Sequence, residues 1–196
     1  MMKLNKYTAI ALAAVALAGC GKMDELAPQG STLLASQVKE TNAKVPERVS
    51  ASFNGMYTKI GEPTSVYGGG TDGRPDDWGF PMIAFSGDAE AADLVLADSG
   101  YNWFSVCGDL ESRNADYANP YVRYAAAYNE IAAANDIIKS FPADTEDPAA
   151  INKMAQARAI RAFSYLNLAP YFQFSYAAGA QDKPCVPIVT ETTEDF

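Results

Sequence analysis

NPYVRYAAAYNEIAAANDIIKSF (Asn119–Phe141) and QARAIRAFSYLNLAPYF (Gln156–Phe172) decide the fold class of this chain. In the first, Tyr121, Tyr124, Ala125, Tyr128, Ile131, Ala132, Asn135 and Ile138 recur at steps of three and four, which gathers them on one face of an α-helix. Around the second, Ile151, Ala155, Ala162, Tyr165, Ala169 and Phe172 form another helical stripe, whose alanines permit close approach of a partner. Pro142, Asp144, Asp147 and Pro148 lie between the two. Two helices joined by a turn, packed face to face, are the simplest solution.

Outward from this pair, Pro46 and Glu47 open another helix, with Val49, Phe53, Met56 and Ile60 on one face and Gly61 at its end. From Gly61 to Gly87 the composition predicts a long loop, punctuated by Gly68-Gly69-Gly70 and Asp72-Gly73-Arg74-Pro75. The glycine run lacks the Gly-Lys-Ser/Thr ending of a phosphate-binding loop, and Asp72, Asp76 and Asp77 do not have calcium-loop spacing. A short helix is expected over Asp88–Asp98.

The chain has 196 residues, with 24 acidic against 15 basic side chains, no histidine and a formal charge of −9, a balance that repels nucleic-acid phosphates. Lacking histidine and clustered cysteines, it offers no zinc ligand set, and no metal or cofactor is expected. The absence of histidine also removes the usual Ser-His-Asp and Cys-His arrangements, and the expectation is a protein that is not an enzyme. Cys107 and Cys185 are far apart in sequence and are expected as buried thiols.

The N-terminus is a secretory signal. Lys3 and Lys6 precede an apolar run from Tyr7 to Ala18, and Leu17-Ala18-Gly19-Cys20 has the lipobox pattern of bacterial lipoproteins, in which the cysteine sulfur is acylated. The run falls short of the about 20 residues a membrane span needs. The expected organisation is a signal peptide over 1–19, a lipid-anchored tether and start of the fold over 20–44, and a helical domain over 45–196. Several acyl chains, each buried methylene contributing about 0.8 kcal/mol, would hold Cys20 stably at a membrane.

Tyr121-x-x-Tyr124-Ala125-x-x-Tyr128 is similar to the first tetratricopeptide helix, and Ala159-x-x-x-Phe163 to the second, with a connection longer than the standard repeat. An ordinary amphipathic helix pair has the same periodicity. The fold class expected is mainly α, with tetratricopeptide-like helical hairpins and long irregular loops. In order along the chain, YNEIAAANDII (Tyr128–Ile138), ARAIRAFSYLNL (Ala157–Leu168) and VPIVTETTEDF (Val186–Phe196) resemble the SusD/RagB family of outer-membrane nutrient-binding lipoproteins. DDWGFP (Asp76–Pro81) and GYNWF (Gly100–Phe104) look like further signatures of some branches. Gln156 in place of the usual Glu, Pro170 near the helix end and the lack of a Phe-Gly pair after Phe172 depart from the pattern.

The resemblance implies a lipoprotein of the outer membrane, facing the cell exterior, that binds oligosaccharide or, in the RagB branch, peptide. Its implied partner is a SusC-like TonB-dependent transporter. Members of the family are more than twice as long, so an N-terminal portion is expected, and the acidic pair Asp24-Glu25 resembles a surface-export signal. Trp78 and Trp103, with Tyr101 and the polar neighbours Asn102, Asp77 and Arg74, suit a glycan platform, because sugar C–H faces stack on indole while hydroxyls need polar partners. Both tryptophans would serve equally as core residues. Two other functions fit the residues less fully: a helical-repeat adaptor with no small ligand, and a glycoside hydrolase using loop acids such as Asp72, Asp77, Asp88 and Asp93.

Overall fold

The computed structural model describes residues 35–45, 47–63, 75–97 and 104–193. Among them are six α-helices and no strand: α1 (Ala35–Lys44), α2 (Glu47–Lys59), α3 (Gly79–Ala89), α4 (Ser105–Gly108), α5 (Ala118–Lys139) and α6 (Pro148–Phe172). The fold is therefore mainly α. Helix α1 belongs to a separate unit and is held locally by the pair Lys44–Glu40, 2.6 Å apart one turn away. The remaining elements form the unit that begins at Val45.

Helix α6 starts where its chemistry demands: the Asp147 carboxylate accepts from the backbone N–H groups of Ala149 and Ala150, and Pro148 occupies the first turn, where no N–H is needed. It packs along α5. Tyr124 meets Phe172, Tyr128 meets Tyr165 and Asn135 meets Arg161, so the two helices run antiparallel. Met56 of α2 closes a core with Ala134, Ile137 and Ile138 of α5 and Met154 and Ala157 of α6, and a buried side chain of this size contributes about 1.5–3 kcal/mol.

Both predicted stripes need correction. On α6 the buried face is Ala150, Met154, Ala157, Ser164 and Leu168, displaced by one position from the expected one, and Ile151 is exposed. Ser164 turns its hydroxyl onto the Ile160 carbonyl, which lets a polar residue sit in the core. On α5 Ile131, Asn135 and Ile138 are buried as expected, but Tyr121 is 59% exposed, and Val122 and Arg123 are buried instead. Helix α5 lies against α2, α3 and α6, so no single face describes it.

The predicted loop from Gly61 to Gly87 is interrupted by α3, and residues 90–97 are not helical, against the expected Asp88–Asp98 helix. Pro81 falls in the first turn of α3 and is harmless there, while Gly79, Ile83, Ser86 and Ala89 are buried at helical spacing. Gly79 has φ +59°, and a Cβ on it would lie 2.4 Å from the Ile60 carbonyl oxygen. That oxygen accepts from the Phe80 N–H at 2.8 Å, which pins the end of α2 to the start of α3. At the other end of α3, the buried Glu90 carboxylate pairs with the buried Arg123 guanidinium of α5 and accepts from the Ser112 hydroxyl at 2.7 Å. Of the two remaining cysteines, both free, Cys107 is buried as expected and Cys185 is exposed.

Gly79→Ala should destabilise the fold by about 1–3 kcal/mol, through the left-handed backbone and the contact with Ile60. Gly55→Ala, inside α2 with open space around it, should stabilise by about 0.5–1 kcal/mol. Thermal denaturation of the two variants side by side checks both signs.

Candidate functional site

The two antiparallel helices present a row of polar groups to the chain that follows them. Tyr128 Oη donates to the Pro187 carbonyl at 2.6 Å, and Asn135 Nδ2 donates to the Val189 carbonyl at 3.3 Å. Tyr165 Oη donates to the same Val189 carbonyl at 3.0 Å and accepts from the Val189 N–H at 2.6 Å. Arg161 bridges the Asn135 side chain, at 2.7 Å, and the Glu191 carboxylate, at 2.5 Å. The Arg161 hydrogen bond holds the Glu191 carboxyl below its ordinary range. Helix residues thus satisfy the backbone of a non-helical segment that has no ladder of its own. Above this clasp Tyr124 stacks on Tyr128 with ring centroids 4.4 Å apart, and Phe172 meets the edge of Tyr124.

A pocket opens on another side of α5, where the junction of α2 and α3 leaves room. It is partly open to solvent, and its water-accessible space is about 40 Å³, room for a few waters or one small ligand. Ala126 and Ala127 form its floor, Ile60, Phe80, Ile83 and Phe163 its apolar walls, and Arg123 and Glu130 stand on α5 at the two ends of the floor. The Glu130 side chain is buried, and its Oε1 has no hydrogen-bond partner among the described residues. Burial pushes its carboxyl up to about 7; Lys59 nearby offsets part of this, and Glu62 adds to it. The Arg123 guanidinium lies 4.1 Å over the Tyr171 ring, and its Nε is likewise without a partner.

Of the residues predicted for a glycan platform, the structure describes two. Trp78 precedes the first turn of α3 and is 46% exposed, so it is not a core residue. Asp77, its neighbour, has 0% exposure in a 3-10 turn spanning Pro75–Asp77 and is engaged within the fold, as is Asp76. Asp77 is thus buried in the turn beside the exposed Trp78. Arg74, Tyr101, Asn102, Trp103, the proposed hydrolase acid Asp72 and the lipidation site Cys20 lie outside the described residues. Among the described residues no His/Cys/Asp/Glu cluster has the makings of a metal site, and no helix is long and apolar enough to cross a membrane.

No protein-family model, curated protein or solved structure matches this chain. The sequence reading passed over Glu130, although one signal was available: Arg123, Ala126, Ala127 and Glu130 share one helical face, two small residues between two long ionisable ones.

Glu130 titrates in the folded chain at about 7 rather than at its ordinary 4.5. The folded state therefore holds an extra proton between these values, and stability should fall as pH rises through that window. Glu130→Gln should remove this part of the decline. Denaturant titrations at pH 4.5, 6 and 8 on both proteins measure it; parallel pH profiles would contradict the assignment.

Proposed function

We propose that the chain is a lipid-anchored binding protein of SusD type, which captures oligosaccharide at the outer cell surface and passes it to a SusC-like TonB-dependent transporter without covalent chemistry. The observation that carries this reading is the clasp. Tyr128 and Asn135 come from the first segment that resembles the family, Arg161 and Tyr165 from the second, and Pro187, Val189 and Glu191 from the third. Short motifs matched by chance have no physical reason to complete one another's hydrogen bonds. Here each supplies donors or acceptors that the others need, which supports reading the three segments as parts of one structural unit. The α5–α6 pair is read as a tetratricopeptide-like hairpin, with Tyr121 and Leu166 on it, and Phe174 and Tyr176 just after it, exposed and available to a protein partner.

Within this reading Cys20 carries the acyl chains and Trp78 supplies a stacking face for a sugar ring. The full chain should incorporate a palmitate analogue in a bacterial host that processes lipoproteins, and Cys20→Ala should not; equal labelling of the two would remove the anchor from the proposal. Affinity electrophoresis through a panel of polysaccharides tests the ligand class. Retardation of the wild type, weakened by about 1–3 kcal/mol in Trp78→Ala with an unchanged melting temperature, is the expected result. Unretarded migration through the whole panel would favour the adaptor reading.

A further inference from the structure

The pocket over Ala126 and Ala127 has a composition that the glycan reading does not use. Its walls are apolar, yet a carboxylate stands at one end with 5% exposure and one oxygen unpaired. A buried acceptor left unmatched costs about 1–3 kcal/mol, more for a charged group, so the fold carries a penalty that a ligand with a matching donor would relieve. An ammonium answers this need better than a hydroxyl. It offers three donors where a hydroxyl offers one, and it cancels the charge whose burial is costly.

From these observations we infer that the pocket is a binding site for a small primary amine carried on an apolar body, with the ammonium on Glu130 and the apolar part along Ala126 and Ala127 between Phe80, Ile83 and Phe163. Arg123 and Glu130 lie two helical turns apart, roughly 10 Å, which sets the length of ligand that fits between them. The cations near the site do not oppose this. Arg123 is neutralised by Glu90, and Lys59 is half exposed, with its ammonium 3.9 Å from Glu62. The inference does not rest on the glycan reading, and failure of either leaves the other standing.

The charged groups that act on Glu130 are Lys59 at the end of α2 and Glu62 just past it; Arg123 on its own helix and Tyr171 on α6 line the same pocket, while α3 contributes only the apolar Phe80 and Ile83. An alkylammonium stays protonated up to about pH 10, as a lysine does. Binding should therefore tighten as pH rises from 5 to 8 and Glu130 loses its proton.

Isothermal titration of the full chain with hexylamine and with 1-hexanol tests the inference. Hexylamine should saturate a single site, and 1-hexanol, with the same apolar chain and no charge, should bind at least about tenfold more weakly. Glu130→Gln, which keeps the shape and removes a buried charge, should weaken hexylamine by about tenfold to a hundredfold and abolish the pH dependence. Ala126→Leu, on the half-buried floor, should block both compounds while leaving Glu130 in place. Equal affinity for the two compounds, unchanged hexylamine binding in Glu130→Gln or in Ala126→Leu, or no saturable binding by the wild type would each overturn it.

Discussion

The structure hinges on the packing of α5 against α6 over a core to which Ala134 and Ala157 belong, both wholly excluded from solvent. Small side chains let the backbones come close, and Met56 and Met154, with flexible unbranched chains, fill the irregular space left beside them. This packing holds the antiparallel pair in one register. With that register fixed, Asn135 faces Arg161 and Tyr128 faces Tyr165, and the polar row that holds Pro187 to Glu191 is complete. A larger residue at either alanine would separate the helices and pull those partners out of hydrogen-bond reach.

A second constraint acts at the opposite end of α5. Glu90, just past α3, gathers Arg123, Ser112 and the more exposed Arg113, and so ties three separate stretches of chain together in a buried place. Such a pair contributes little net stability, because desolvation offsets attraction, but removing one partner would strand the other charge in the interior. The ion pair therefore fixes the position of α3 more than it stabilises the unit. With the Ile60–Phe80 hydrogen bond holding the other end of α3, the helix is placed so that it walls the pocket without filling it. The alanines on the pocket floor and the close backbone contact at Gly79 are what keep that volume open.

The clasp and the pocket use opposite treatments of polar groups. In the clasp the donors and acceptors of Asn135, Arg161, Tyr165 and Val189 meet one another, and the result is a locked segment. In the pocket Glu130 and Arg123 each keep an unmatched atom beside apolar walls, so a carboxyl is held near neutrality by burial. Fully satisfied networks rigidify, whereas a group left unsatisfied in a cavity is poised to respond to whatever enters it.

How much of this was legible follows from which physical signal each part carries. Helix α2 could be read because Val49, Phe53, Met56 and Ile60 repeat at helical spacing and Gly61 ends the pattern, and the α5–α6 pair could be read for the same reason. Helix α3 was hidden by its glycines and proline, which are turn residues by composition and are tolerated in this helix only because of where they fall in it. The buried stripe of α6 was misplaced by one residue because aromatic side chains attract the reading, while the true contact face is built of alanine, methionine and a serine that bonds its own helix. Local periodicity, capping and the order of the motifs are properties of the sequence alone, since neighbours along the chain decide them. The burial of Asp77 beside an exposed Trp78, the meeting of Tyr128, Asn135, Arg161 and Tyr165 on one segment, and the isolation of Glu130 were decided only by tertiary structure. Each depends on which distant residue arrives at a given surface, and no local pattern carries that information.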